Sequence, residues 1–255
     1  MKDTIIKKIK EIEKTENVKV LYCIESGSRA WGFASPDSDY DVRFIYIRPM
    51  EYYLSFDKKR DVIEYELNDV YDISGWDIAK ALPLLHSSNP TLFEWIQSPI
   101  VYYTSKEWEK VVSISDKYFS KKSALYHYLN TAKTNIKVYL SKVPLKLKKY
   151  FYVLRPLLCC KWIMEYNEKP PMLFSTLCEK YLEGDIKTAV NKLVEIKVNS
   201  NETAYGEHIE IIDRYIESEI ENTQNYLNNI EKEKSSTYEE LNRIFIDLLK
   251  NADFD

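Results

Sequence analysis

Two short patterns in this 255-residue chain could do chemistry together. Gly27-Ser28 makes a small-residue turn, and eleven residues beyond Ser28 begins Asp39-x-Asp41. A glycine lets main-chain N–H groups converge on phosphate oxygens with no Cβ in the way, and the Ser28 hydroxyl adds a donor. Two aspartates two apart on a strand project from one face with Cα atoms roughly 7 Å apart, a spacing that suits hard cations shared with phosphate oxygens. Either pattern alone reads as an ordinary turn. Together they describe a place for a nucleoside triphosphate and its magnesium.

Glycine is scarce, five residues in all, yet Gly27 and Gly32 both fall in this loop, and Gly75 is expected just after a later strand. Close backbone approach is expected at these points. A third carboxylate is expected from a neighbouring strand, where Tyr71-Asp72-Ile73 sets an acid between apolar residues. Asp77 is the alternative third carboxylate, although as the acid of Ser74-x-x-Asp77 it has a sufficient role in capping a helix. Glu64 and Glu66 are further candidates on the preceding strand. Arg29 and Arg43 are the nearest cations; Arg43, two beyond Asp41 on the same strand face, either neutralises a phosphate or pairs with the aspartates.

The elements that must position these residues follow from periodicity. β-branched and aromatic runs predict strands over 18–24 and 40–47. Ile5, Ile6, Ile9 and Ile12 fall on one face of a helix over 3–15. A short helix over 48–54 with Pro49 in its first turn, strands over 61–67 and 69–73, and a helix from 74 through 86 come next. Asn89-Pro90 opens a helix that Ser98-Pro99 stops, leaving an edge strand over 100–103. Helices are then expected over 123–140, 146–166, 186–198, 208–230 and 237–250, with breaks at Pro144 and Pro170-Pro171. The fold class is α+β: a small mixed-sheet domain over 1–116 with flanking helices, then an all-helical domain over 117–255.

Composition is that of a folded protein, 45% hydrophobic with a net charge of −4. No uncharged apolar stretch is long enough to cross a bilayer, and Lys2, Asp3, Lys7, Lys8 and Lys10 leave no room for a signal peptide's apolar core, so a cytoplasmic location is expected. Cys23, Cys159, Cys160 and Cys178 have no metal-ligand spacing and read as reduced core thiols. The small net charge hides an asymmetry: residues 117–164 hold eleven Lys or Arg and no Asp or Glu. Such a belt either attracts phosphates or is a set of solvated lysines. Lys148 and Arg155, seven apart, share a helix face, and Lys149 and Arg155, six apart, do not. Lys149 and Arg155 are candidate triphosphate contacts. His127 reads as structural or catalytic, and Trp31 and Trp76 as core or base-stacking residues.

On these residues the chain resembles the nucleotidyltransferase superfamily of DNA polymerase β, whose signature is Gly-Ser or Gly-Gly, a spacer near ten residues and Asp-x-Asp. Gly27-Ser28-Arg29-Ala30-Trp31-Gly32, Ser38-Asp39-Tyr40-Asp41-Val42-Arg43, Asp72-Ile73-Ser74-Gly75-Trp76-Asp77, Ser88-Asn89-Pro90 and Lys148-Lys149-Tyr150-Phe151-Tyr152-Val153-Leu154-Arg155-Pro156 are similar to a bacterial and phage group of nucleotidyltransferases related to those found beside RNA ligases. The resemblance extends to about Pro171. It implies attack of an acceptor hydroxyl on the α-phosphate of a nucleoside triphosphate, with pyrophosphate leaving. It implies two magnesium ions, manganese being the substitute, held by Asp39, Asp41 and Asp72. It has Ser28 and nearby amides on the β- and γ-phosphates, and Asp72 on the catalytic metal or the hydroxyl proton. The acceptor is a small molecule, an RNA end or a protein, with no membrane involved. A different class, an inactive nucleic-acid-binding or antitoxin-like regulatory module, has no need of the intact set Gly27, Ser28, Asp39, Asp41 and Asp72.

Overall fold

Strand alternation sorts the side chains of the sheet into two cores. The computed structural model describes residues 1–68, 70–141, 144–199, 204–231, 237–252 and 254. The strands of the five-stranded sheet are β1 (Lys19–Glu25), β2 (Tyr40–Ile47), β3 (Val62–Leu67), β4 (Tyr71–Asp77) and β5 (Val101–Thr104), in the order β3-β4-β2-β1-β5, and a short antiparallel pair, Leu145–Lys146 with Tyr205–Gly206, interrupts the region expected to be all-helical. Neighbours are antiparallel except β2 and β4, which run parallel. The helices flanking them are α1 (Lys2–Glu16), α2 (Gly27–Trp31), α3 (Met50–Leu54), α4 (Ile78–His86), α5 (Pro90–Ile96) and α6 (Lys106–Ile114).

Val42, Phe44 and Tyr46 turn to one face and meet Ile5, Ile9 and Ile12 of α1. Burying each isoleucine contributes about 2 kcal/mol, far more than surface pairs on the lysine-rich outer side, so packing fixes this helix. Ile45 and Ile47 turn to the other face, into a core with Ile78, Leu82, Leu92 and Trp108. Among the described residues no helix is long and apolar enough to cross a membrane.

The chain divides into two compact units: Met1–Gly27 with Asp39–Phe119 and Ser235–Asp255, and Ser28–Ser38 with Ser120–Lys234. This differs from a single boundary at 116/117. The helix expected over 237–250 forms at Glu239–Asn251 but groups with the sheet, because Leu241 and Leu248 enter the core that holds Trp108 and Val111. Its amphipathic stripe predicts burial and does not say in which core.

The second unit contains α7 (Lys121–Asn135), α8 (Phe151–Tyr166), α9 (Phe174–Tyr181), α10 (Gly184–Asn199) and α11 (Glu210–Asn229), and the helix Glu239–Asn251 completes the series as α12. α7, α8 and α11 pack on one another. Pro156 lies inside α8 and has no N–H for the Tyr152 carbonyl; Asn135 Nδ2 donates to that carbonyl at 2.7 Å. The helix expected from 146 begins as a 3-10 turn over Leu147–Tyr150. The helix expected over 123–140 ends in a π-helical turn, Ile136–Leu140. Residues 28–38 join this unit through their aromatic rings, with Phe33 stacked on Phe151 at 4.6 Å and edge-on to Phe174 at 5.5 Å.

Two local expectations are corrected. Ser74 lies within β4, and the cap of α4 is Asp77 itself, whose Oδ1 accepts the Ala79 N–H at 2.8 Å. Gly75 is also inside β4, opposite Phe44; a Cβ there would stand 2.2 Å from the Phe44 ring, so the close approach is core packing. The expected strand start at Asp69 lies outside the described residues.

Candidate active site

The first unit brings Gly27, Asp41, Arg43 and Asp72 together. β1 ends at Glu25, and the chain enters a left-handed conformation at Gly27, φ +56°. A Cβ on Gly27 would lie 1.8 Å from Asp41 Oδ2. Glycine is therefore required twice over, by the backbone angle and by the carboxylate against it.

Asp41 and Asp72 are direct partners in the parallel β2–β4 register. Like charges directly opposite in a sheet repel, and Arg43 answers them. Its Nη2 donates to Asp41 Oδ1 at 3.0 Å and Asp72 Oδ2 at 2.7 Å, while Nη1 donates to the Asp72 carbonyl at 2.6 Å. The sequence left Arg43 between a phosphate and the aspartates; it pairs with the aspartates. The three side chains keep 17% (Arg43), 22% (Asp41) and 30% (Asp72) exposure, so they remain open to solvent. Asp39 precedes β2, so the argument that it shares a strand face with Asp41 does not apply to it.

Asp77 does not join this group. It lies at the far end of β4, five residues from Asp72, roughly 16 Å along a strand. Its Oδ1 caps α4 and accepts the Tyr53 hydroxyl at 2.9 Å. Burial pushes its carboxyl up to about 6. The perturbed acid is thus a structural cap.

The other predicted residues belong to the second unit. The Ser28 carbonyl accepts the Gly32 and Phe33 N–H groups, closing the turn after β1. Arg29 Nη2 donates to the Ser38 carbonyl at 2.6 Å and so holds its own loop. Arg155, expected at the triphosphate, is 2% exposed, with its guanidinium 4.8 Å from the Trp31 ring centre and bonded to the Met172 carbonyl; it packs the 28–38 segment onto α8. Lys149 lies over Tyr139 at 3.9 Å and Tyr152 at 4.5 Å.

Much of the basic belt is matched by groups from later in the chain, as in Lys133–Gln224, Lys161–Glu219 and Lys117–Glu240. An acid-free segment is therefore not an acid-free surface. His127 is exposed on α7, Trp76 stacks on Trp95 at 4.0 Å as a core residue, and all four cysteines are buried.

Two polar residues escape the sequence reading. Lys197, 6% exposed, donates to Ser35 Oγ at 2.6 Å and Ser38 Oγ at 3.2 Å. Its signal was a lysine four beyond Leu193 and seven beyond Val190 on one buried helix stripe. Glu25, fully buried, ends an apolar strand.

Among the described residues no group of three or more His, Cys, Asp or Glu side chains stands close enough to hold a metal ion. The expected convergence of Asp39, Asp41 and Asp72 is therefore not preformed. Two hard carboxylates do stand opposite each other, one of them lying against the bare Cα of Gly27, so the donor set fits a hard divalent ion in kind.

Comparison with known proteins matches residues 1–247 to the model of the RNA repair pathway DNA polymerase beta family, RlaP. The chain belongs to that family. An uncharacterized protein of Bacillus subtilis (strain 168), YcgL, is 42% identical over 254 residues, covering 99% of this chain and 98% of the relative. A solved structure, a nucleotidyltransferase-like protein from Exiguobacterium sibiricum 255-15, covers 97% of this chain and 81% of its own at 11% identity and a TM-score of 0.32. At that distance it adds nothing to the family assignment.

Proposed function

We propose that this RlaP-family protein transfers a nucleoside monophosphate from a nucleoside triphosphate to an acceptor hydroxyl, with release of pyrophosphate. The observation that carries the reading is the juxtaposition of Asp41 and Asp72 across β2 and β4 with Gly27 cleared of a side chain beside Asp41. In the reaction the acceptor oxygen bonds to the α-phosphorus, the bond from that phosphorus to the β-bridging oxygen breaks, and the hydroxyl proton passes to Asp72. Arg43 balances the two carboxylates until substrate arrives and then turns its charge to the triphosphate. Gly27, which has no Cβ, lets the main chain at the end of β1 come close to a phosphate beside Asp41. Magnesium or manganese, if held by Asp41 and Asp72, would supply a Lewis acid that polarises the α-phosphate. The family's description speaks of RNA repair, and we assign an RNA end as the acceptor.

The test is incubation with each labelled triphosphate and magnesium against RNA, protein and metabolite pools, beside Asp41→Asn and Asp72→Asn. Label in RNA that depends on both aspartates supports the assignment, and label in another pool corrects the acceptor. A second reading, a binding module without catalysis, is favoured by the Arg43 bridge, which supplies the aspartates with a cation of the protein's own. Salt-sensitive RNA binding with no transfer from any triphosphate would select it.

A further inference from the structure

Glu25 is an acid with no exposure at the end of the buried run Val20-Leu21-Tyr22-Cys23-Ile24. Taking a carboxylate out of water is costly unless its oxygens are bonded, so its partners disclose its use. Oε1 accepts the Asp41 N–H at 2.9 Å, and Oε2 accepts the Tyr102 hydroxyl. The main chain of Glu25 is anchored as well: its carbonyl accepts Ser98 Oγ at 2.6 Å, and its N–H donates to the Ile100 carbonyl at 3.0 Å. Burial, with Glu25 beside it, raises the Tyr102 hydroxyl above the ordinary phenol range, so it stays a donor.

The register explains why a side chain is needed here. β1 and β2 pair Glu25 with Val42, and one step on the Ser26 N–H donates to the Asp41 carbonyl at 2.8 Å. The chain then leaves the ladder at Gly27. The reciprocal donor of that last rung, the Asp41 N–H, goes to the Glu25 carboxylate. Asp41 is thus gripped at both ends of its main chain, by the backbone of Ser26 and by the side chain of Glu25. Alternation sends the Glu25 side chain to the α1 face with Cys23 and Val42, and the Asp41 side chain to the opposite one.

We propose that Glu25 and Tyr102 are a positioning pair for Asp41, a buried relay behind the sheet that fixes the direction of its carboxylate against Gly27 and opposite Asp72. This rests on Asp41 being the working carboxylate of the transfer reaction. An acceptor itself held by a second donor, the Tyr102 hydroxyl, suits a residue placed at the open end of a ladder. Tyr102, on the edge strand β5, closes the relay from the far side of β1.

The experiment uses the full chain with Tyr102→Phe, Glu25→Leu and Glu25→Gln. In a ¹⁵N-resolved exchange measurement the Asp41 amide is expected to exchange about tenfold faster in the first two, and Glu25→Gln, which keeps an acceptor oxygen, to recover most of the protection. Magnesium-dependent thermal protection by triphosphate should fall in the same order, and kcat should drop with KM little changed. Should Glu25→Leu fail to fold, Tyr102→Phe at the sheet edge carries the test. If wild type is protected by triphosphate and the variants are protected equally with unchanged Asp41 exchange, the positioning role is overturned while the transferase reading stands. If wild type itself shows no protection, the transferase reading fails, and amide exchange alone decides whether Glu25 and Tyr102 hold Asp41.

Discussion

Asp41 and Asp72 stand opposite each other in the parallel β2–β4 register, and a single nitrogen of Arg43 bonds both, at 3.0 and 2.7 Å. The guanidinium thus stands as the shared cation of the two carboxylates. Arg43→Gln removes that charge and leaves two partly exposed anions face to face, a repulsion on the order of 1 kcal/mol. The variant should melt a few degrees lower than wild type in chelator and recover in magnesium or manganese, with a larger metal-induced shift than wild type shows. Differential scanning fluorimetry reads both quantities. Equal metal shifts in the two proteins would count against Asp41 and Asp72 as ligands.

Gly27→Ala tests whether the site needs a bare Cα. The added carbon would meet Asp41 Oδ2 at 1.8 Å, so the carboxylate must move. Displacing a reacting group by about 1 Å costs roughly 10²-fold in rate, and nucleotide transfer should fall by at least that much. Gly184 supplies the control, since its φ of +55° matches the +56° of Gly27 and a Cβ there meets nothing within 4 Å. Gly184→Ala should cost only the left-handed strain, about 1–2 kcal/mol, with transfer unchanged. Urea melts of both variants separate strain from clash.

The sequence made local structure legible where one residue type has one use. β2 falls at 40–47 as expected, because a β-branched and aromatic run stopped by Arg48-Pro49 has little alternative to a strand. Asn89 caps α5 with Pro90 in its first turn, as that dipeptide predicts. Asp72 was legible as an acid between apolar neighbours, and it does meet Asp41. What escaped depends on pairing between distant segments. That Arg43 reaches both aspartates follows from the parallel β2–β4 register, which no local pattern encodes. Arg155 looked available because a helical wheel shows faces and not what covers them; Trp31, 124 residues earlier in the chain, lies against it. Ser74-x-x-Asp77 imitates a capping box, but β4 runs on to Asp77, and tertiary pairing with β2 outweighs the local motif.

Asp77 makes stability depend on pH. Its folded-state carboxyl titrates at about 6, above the ordinary value of 3.8, because burial penalises the charged form. The folded state therefore holds a proton that the unfolded state has released between those values, and stability falls as pH rises from about 4 to about 6. The loss amounts to about 3 kcal/mol. Asp77→Asn keeps an oxygen for the Ala79 N–H and the Tyr53 hydroxyl, and it should flatten this slope while leaving stability at pH 4 close to wild type. Denaturant melts at half-unit pH intervals check it, and an unchanged slope in the variant would assign the dependence elsewhere.

Asn135 and Pro156 form a compensating pair within the helical unit. Pro156 deprives the Tyr152 carbonyl of its helical donor, and Asn135 Nδ2 replaces it at 2.7 Å. Asn135→Ala leaves that partly buried carbonyl unbonded and should cost about 1–2 kcal/mol. Pro156→Ala restores an N–H at the position the helix expects, so the same Asn135→Ala change should cost little in that background. The coupling between the two substitutions should therefore be about 1 kcal/mol, within the range measured for residues sharing one hydrogen-bonded group. Four-corner urea denaturation of wild type, the two single variants and the double variant gives the number directly. A purely additive cycle would mean that Asn135 holds α7 against α8 by packing, with the carbonyl satisfied in another way.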